Sequence, residues 1–151
     1  MTQCRGREEQ VVGHDALVTA VSWTGGKDCN LALLSAWRDP RYDVRFLVVF
    51  RPPNAKFQAH PIPFMEAQSA ALELPLLHVE VTGEPSYKAS YVAGIERLKA
   101  EHGVRVICTG DMDLVGTMQR NWIEECGEEC GVAALLPLWQ ADREWCHATL
   151  A

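Results

Sequence analysis

Short apolar segments of strand length alternate with longer segments of helical periodicity, and this alternation limits the fold more than any other feature of the sequence. The five strand-like segments are Ala16–Trp23, Val44–Phe50, Leu76–Val81, Val104–Thr109 and Ala133–Leu136. Between them, apolar residues recur at intervals of three and four, which is typical of one face of a helix. The predicted helices cover Asp28–Trp37, a segment from Pro63 that ends before Pro75, a segment opened by Ser86 and ended by Gly103, and roughly Thr117–Cys130.

Strands that alternate with helices pair in parallel, because each helix carries the chain back across the sheet in a right-handed crossover. The sequence therefore predicts an α/β fold, a doubly wound three-layer sandwich around a five-stranded parallel sheet. A length of 151 residues accommodates one such domain. We assign residues 1–14 to an N-terminal tail and residues 15–151 to the domain.

The cellular location of the protein is predicted from its apolar runs, which are too short for a membrane span or a signal peptide. No run approaches the roughly 20 apolar residues of a membrane span, and residues 1–14 lack the apolar block of a signal peptide. The six cysteines are expected to be reduced thiols, because a chain with a normal core does not need a secreted disulfide framework. These features predict a cytoplasmic protein without a membrane partner.

The net charge counts against nucleic acid as a partner. The chain has 14 Lys and Arg against 20 Asp and Glu, a net charge of −6, and no basic stripe. Affinity for nucleic acid comes largely from neutralised phosphates. The composition therefore counts against nucleic acid as a partner. It predicts nothing about the oligomeric state.

The glycine loop after the first strand, Thr24-Gly25-Gly26-Lys27-Asp28, has the chemistry of a phosphate site. Two glycines let consecutive backbone N–H groups converge on an anion, and the helix that follows adds its positive N-terminus. Lys27 supplies a full positive charge, while Asp28 is placed to cap the helix or to ligate magnesium. A plain strand-to-helix turn is the alternative, and the loop fits neither a Walker A nor a GxGxxG pattern.

A second candidate loop, Gly110-Asp111, follows the fourth strand. If the sheet reverses its winding between the first and fourth strands, both loops face one crevice, where ligands of such folds bind. Asp111 and Asp113 then either bind magnesium or cap a turn. Arg120 either meets a phosphate or a carboxylate as a bidentate fork or pairs with Glu124 on a helix surface.

Two further groups of residues give a weaker indication of function. His60 stands in a Pro-rich loop and is more often a solvated side chain than a catalytic one. A zinc site is one interpretation of Cys126, Cys130 and Cys146-His147. Their spacing lacks a C-x2-C knuckle, however, and such cysteines are commonly apolar core residues.

Four segments carry a resemblance to a known family. VSWTGGKDC resembles the SGGKDS signature of the PP-loop ATP pyrophosphatases, and its SW is similar to the diphthine–ammonia ligase branch. Ala59–Leu76 resembles the His-x-x-Pro entry into a Gln-Ala-rich helix followed by Leu-Pro-Leu. Thr109–Trp122 resembles the Gly-Asp loop with its following arginine, and Leu135–Trp139 the Pro-Leu-Trp segment.

The resemblance implies an ATP- and Mg²⁺-dependent ligase that cleaves between the α and β phosphates, adenylates a carboxylate and forms an amide with ammonia. In the named family the acceptor is diphthine on elongation factor 2. By position, the nucleotide-binding residues are Ser22, Thr24, Gly25, Gly26, Lys27, Asp28, Cys29 and Gly110. The catalytic assignments are Lys27, Asp28, Asp111 and Arg120, and the metal ligands are Asp28 and Asp111.

The sequence departs from the family pattern at three places. Thr24 keeps the hydroxyl of a serine, whereas Cys29 replaces another serine and loses it. Family members continue past the Pro-Leu-Trp segment into a Gly-Glu-rich region that positions the acceptor, whereas this sequence stops at Ala151. The segments that match the family pattern are therefore those of nucleotide binding, and the region that positions the acceptor is not among them. A nucleotide-binding module and a PP-loop enzyme with another acceptor are the alternatives.

Overall fold

The strands form the predicted parallel sheet. The structure, a computed structural model, describes residues 9–53, 61–113 and 119–141. The strands are β1 Leu17–Ser22, β2 Tyr42–Arg51, β3 Leu76–Glu80, β4 Val106–Cys108 and β5 Ala133–Leu135. They pair only in parallel, in the order β3-β2-β1-β4-β5. The predicted α/β fold class is confirmed.

In the described residues, four helices follow one another in the predicted order. They are α1 Lys27–Trp37, α2 Ile62–Leu72, α3 Tyr87–His102 and α4 Trp122–Cys130. Ser86 caps α3 by accepting a hydrogen bond from the Ala89 N–H at 3.1 Å, and Gly103 ends it at φ 69°. Both roles agree with the sequence, since serine favours helix N-termini and glycine tolerates positive φ.

One predicted helix cap and one predicted helix start are wrong. Asp28 does not cap α1, because the N-cap is Gly26 and Asp28 is the second helical residue. Helix α4 begins at Trp122 rather than near Thr117, because Asn121 is its N-cap and accepts from the Glu124 N–H at 3.1 Å. Thr117 itself lies outside the described residues.

Each face of the sheet is covered by one pair of helices. Helices α1 and α2 pack on one face, where Trp23, Ala32 and Met65 are among the buried residues. Helices α3 and α4 pack on the other, around Ile95, Ile107 and Cys126. The result is the three-layer arrangement that buries both sides of a parallel sheet. In the described part of the chain, no helix is long and apolar enough to cross a membrane.

The winding of the sheet reverses between β1 and β4, which are paired in register from Thr19 with Val106 to Val21 with Cys108. Their carboxyl ends therefore lie side by side. This confirms the expected placement of the glycine loop and the Gly110-Asp111 loop at one crevice, the usual ligand position in such folds.

Candidate functional site

The glycine loop leads directly into α1, and the N-terminus of this helix has no side-chain cap. Gly25 has φ 84°, a left-handed conformation that favours glycine. Gly26 is the extended N-cap, and among the described residues no side chain caps the helix there. The first-turn N–H groups of α1 have no partner inside the helix, so the loop keeps the donors that an anion needs.

A glutamine on α2 supports this loop from the side. The Trp23 Nε1–H donates to Gln68 Oε1 at 3.0 Å, and Gln68 Nε2 donates to the Gly25 carbonyl at 3.2 Å. Trp23 is buried, so the glutamine ties the loop to the core. Sequence reasoning missed Gln68, although the Gln-Ala-rich helix in the family resemblance was the signal that contained it.

The Gly26 carbonyl is held by the first turn of α1. Asn30 Nδ2 donates to it at 2.8 Å, and the Cys29 thiol donates to it at 3.1 Å. The Thr24 hydroxyl donates in turn to Cys29 Sγ at 3.8 Å. Thr24 and Cys29 therefore shape the loop through its own backbone, while Cys29 itself is buried.

Lys27 and Asp28 form an ion pair at the mouth of the loop. Lys27 Nζ lies 2.9 Å from Asp28 Oδ1, and the two side chains are 56% and 41% exposed. An exposed pair of this kind is held weakly, because water screens the attraction and both side chains lose entropy. Both groups can therefore turn to a ligand at little cost.

Gly110 brings the second loop into direct contact with α1. A Cβ on Gly110 would lie 2.6 Å from the Asp28 carbonyl carbon, 2.7 Å from its oxygen and 2.8 Å from the Cys29 nitrogen. These neighbours are backbone atoms that cannot swing away. Glycine is therefore required here by close approach, and it places Asp111 next to the start of α1.

Asp111 is oriented by the cap of α4. Asn121 Nδ2 donates to Asp111 Oδ2 at 2.8 Å, while Asn121 Oδ1 accepts from the Glu124 N–H at 3.1 Å. Asn121 is 7% exposed, so both bonds are sheltered from water. Sequence reasoning missed Asn121, because the predicted helix began too early for an N-cap asparagine to stand out.

Arg120 pairs with glutamates on the surface of α4, which is the second of the two roles that the sequence left open. Its guanidinium donates to Glu124 Oε1 at 2.9 Å and to Glu128 Oε2 at 2.7 Å. Hydrogen bonds to Glu128 and Glu124 raise the pKa of Arg120. The Arg120 side chain is 42% exposed and borders the crevice, while its guanidinium is bonded to these two glutamates of α4.

A cavity of about 450 Å³ opens beside Asp111. Strand ends, the Asp111 loop and the starts of α3 and α4 contribute its lining: Ser22, Tyr87, Tyr91, Thr109, Asp111, Asp113, Arg120, Asn121, Trp122 and Ile123. Burial raises the pKa of Tyr91, so its phenol stays neutral. Ser22, which ends β1 just before the glycine loop, and Asp111, which follows Gly110, both line this cavity. The cavity therefore lies next to the glycine loop.

The Pro-Leu-Trp segment packs against α1 and the loop that carries Asp111. Leu138 is fully buried against Leu31 of α1, with Met112 beside them. The Gln140 N–H donates to the Met112 carbonyl at 2.7 Å. This segment thus fixes the loop that carries Asp111.

For the remaining candidate residues, His60 and the possible zinc ligands, the structure shows no functional site. His60, Cys146 and His147 lie outside the described residues. Within residues 9–53, 61–113 and 119–141, no group of three or more His, Cys, Asp and Glu side chains is arranged to hold a metal. Cys126 is fully buried in the core between α3, α4 and the sheet, as expected of an apolar cysteine.

Comparisons with known proteins agree with this architecture. The family model described as Diphthamide synthase N-terminal domain matches residues 17–134. Among solved structures, the chain is similar to a predicted subunit of tRNA methyltransferase from Methanocaldococcus jannaschii, with 13% identity and a TM-score of 0.60. That alignment covers 88% of this chain and 75% of the other. The search of curated proteins gave no match.

Proposed function

The chain belongs to the diphthamide synthase N-terminal domain family, and from this premise we propose that it binds ATP and cleaves it between the α and β phosphates. The observation that carries the proposal is the uncapped start of α1 behind Gly25 and Gly26, packed directly against Gly110 at the switch point. Backbone donors, a helix N-terminus and Lys27 converge there, which suits a pyrophosphate group.

The residues present fit a magnesium ion as well as the phosphates. Mg²⁺ is commonly held by one or two carboxylates together with substrate phosphates and water. Asp28, in the first turn of α1, and Asp111, in the adjoining loop, supply two carboxylates, so a third protein ligand is not needed. When bound, the ion neutralises charge on phosphate oxygens and orients them.

In the proposed reaction, an acceptor carboxylate oxygen attacks the α phosphorus and pyrophosphate leaves. Ammonia then attacks the activated carbonyl carbon, AMP leaves, and a proton is lost to give the amide. The protein needs no nucleophile for either step, and it acts by positioning and charge stabilisation. Gly25, Gly26 and Lys27 bind the leaving pyrophosphate, and Asn121 holds Asp111 in orientation.

The acceptor we propose is diphthine on elongation factor 2, as in the diphthine–ammonia ligases that the sequence resembles. The support is the match over residues 17–134 together with a cavity next to Asp111 that is large enough for a small acceptor group. The cytoplasmic location that the sequence predicts suits both this acceptor and ammonia as the co-substrate.

Product analysis tests the proposal. The chain is incubated with ATP and Mg²⁺, with and without the diphthine form of elongation factor 2 and ammonium, and the nucleotides are separated. AMP with pyrophosphate supports the proposal, whereas ADP with phosphate as the products overturns it. Nucleotide binding without turnover favours a binding module, and turnover only with another carboxylate changes the acceptor.

Lys27→Ala tests the loop itself. Removing the cation at the loop is expected to weaken Mg-ATP binding roughly tenfold or more, since charge-assisted contacts of this kind contribute about 1.5–3 kcal/mol. Arg45→Ala is the matched control, because Arg45 is also an exposed cation paired with a nearby aspartate, Asp43, at 2.7 Å. Equal affinities for the two variants would contradict the assigned role of the loop.

A further inference from the structure

The side chain of Gln68 on α2 contacts the glycine loop and the core through the two ends of its amide. Its Oε1 accepts from the Trp23 indole N–H at 3.0 Å, and its Nε2 donates to the Gly25 carbonyl at 3.2 Å. An indole N–H can only donate, so the amide oxygen must face Trp23 and the NH₂ group must face the loop. The buried Trp23 ring therefore fixes which way round the amide of Gln68 lies.

The contact with the Gly25 carbonyl also sets the direction of the next N–H group. The peptide unit that joins Gly25 to Gly26 is trans, and the C=O and N–H of a planar trans unit point in opposite directions. Because the Gly25 carbonyl points towards Gln68, the Gly26 N–H points away from it. Within the described residues this N–H has no acceptor. It therefore remains a donor for a ligand at the start of α1.

The carbonyls of the two glycines are held in different ways. The Gly26 carbonyl accepts from the Asn30 side chain at 2.8 Å, from the Cys29 thiol at 3.1 Å and from the Asn30 N–H at 3.3 Å. All three donors lie in the helix that follows. The Gly25 carbonyl, by contrast, accepts within the described residues from Gln68 alone, which lies 43 residues further along the chain. Gly25 has φ 84°, where glycine has the most backbone freedom, so the direction of its carbonyl depends on the contact from α2.

We propose that Gln68 is a positioning residue of the anion site. By holding the Gly25 carbonyl, it aims the Gly26 N–H at the pyrophosphate group, and Trp23 keeps the amide of Gln68 in the orientation that this requires. Gln68 acts through the backbone and does not itself touch the anion. Donors that are oriented before binding hold an anion more tightly than donors that must be ordered by it. The inference rests on the proposed function, because it places a pyrophosphate group at the loop.

Pyrophosphate binding tests the proposal on the full chain. Magnesium pyrophosphate is titrated calorimetrically into the wild type, Gln68→Met and Trp23→Phe. Methionine has nearly the length of glutamine but makes neither hydrogen bond, so we expect binding weaker by about two- to tenfold, the range of one hydrogen bond. Trp23→Phe keeps a ring in the core but no longer orients the amide, and a smaller loss is expected.

The double variant of Trp23→Phe and Gln68→Met shows whether the indole acts through the glutamine. If it does, the double variant binds pyrophosphate as Gln68→Met does, because the second change has no remaining contact to remove. Losses that simply add would show that the two residues act separately, which would overturn the role given to Trp23.

Gln10→Met is the matched control, because the amide of Gln10 also bonds to the backbone through both ends. The Val44 N–H donates to Gln10 Oε1 at 2.7 Å, and Gln10 Nε2 donates to the Val44 carbonyl at 3.2 Å. Val44 pairs with Thr19 inside the sheet and has no contact of this kind with the glycine loop. We expect Gln10→Met to lose stability in denaturation curves but to keep the pyrophosphate affinity of the wild type.

The indole N–H of Trp23 reports on the contact without any ligand. Its signal in the ¹⁵N-labelled protein is identified by its loss in Trp23→Phe. In Gln68→Met the indole loses its acceptor, so its proton signal is expected to move upfield. An unchanged signal would overturn the contact on which the proposal depends.

The outcomes separate this inference from the proposed function. Equal pyrophosphate affinity in Gln68→Met and the wild type would overturn the inference alone. If the wild type binds neither magnesium pyrophosphate nor Mg-ATP, the proposed function is overturned and the inference with it. If Gln68→Met weakens pyrophosphate binding but the wild type does not cleave ATP, the inference stands and the proposed reaction alone is overturned.

Discussion

At the scale of single residues, Gly110 shows how closely the two loops of the crevice approach each other. A Cβ at this position would lie within 2.8 Å of three backbone atoms of Asp28 and Cys29. Gly110→Ala must therefore push the Asp111 loop away from α1. We expect a loss of about 1–3 kcal/mol of stability, as for other overpacked sites, and a clear loss of Mg-ATP affinity in the folded variant.

Gly127→Ala is the control for that prediction. Its Cβ would lie 2.4 Å from the Val132 carbonyl oxygen, so the overpacking is similar, but the site is in α4 beside the start of β5. Chemical denaturation measures both stability losses, and calorimetry at a temperature where both variants are folded measures Mg-ATP affinity. Unchanged affinity in Gly110→Ala would contradict the role of the close approach.

At Cys29 the loop has a thiol where the family pattern has the hydroxyl of a serine. Its thiol donates to the Gly26 carbonyl at 3.1 Å and accepts from Thr24, contacts that a serine hydroxyl can also make. We expect Cys29→Ser to keep or strengthen Mg-ATP binding, because oxygen is the better hydrogen-bonding atom. Calorimetric titration of wild type and variant checks this, and weaker binding by the serine variant would count against the loop geometry.

At the scale of elements, helix α4 and the Asp111 loop are joined through one asparagine. Asn121→Ala removes the N-cap and the donor to Asp111 together, so we expect about 0.5–2 kcal/mol less stability and weaker Mg-ATP binding. Ser86→Ala is the control, because it removes the cap of α3 but no hydrogen bond to Asp111. If both variants lose stability and keep full affinity, Asn121 does not position Asp111.

The same elements show which parts of the structure were predictable from sequence. Parallel pairing of the strands followed from the alternation of apolar runs and helices, and the ends of α3 followed from Ser86 and Gly103. The start of α4 did not, because Gln119 and Arg120 continue the sequence pattern of the helix without being helical. Gln68 and Asn121 act through contacts 43 and 10 residues away in sequence, and no local pattern specifies such contacts.

At the scale of the whole molecule, buried thiols couple stability to alkaline pH. Burial raises the pKa of Cys108 from 9.0 to about 12 and that of Cys126 to about 11. In the unfolded chain these thiols ionise near pH 9, whereas in the fold they stay protonated. The unfolded state therefore binds fewer protons above pH 9, and stability falls as pH rises.

We expect the free energy of unfolding to decline between about pH 9 and pH 11, with each fully buried thiol contributing up to about 1.4 kcal/mol per pH unit. Cys108→Ala should lower stability at neutral pH by leaving a cavity, yet flatten the decline above pH 9. Val106→Ala leaves a cavity in the same strand without a titrating group, so its curve should be lower and parallel to that of the wild type. Denaturation curves at several pH values distinguish the two shapes. Parallel curves for all three proteins would show that the buried thiol of Cys108 does not control alkaline stability.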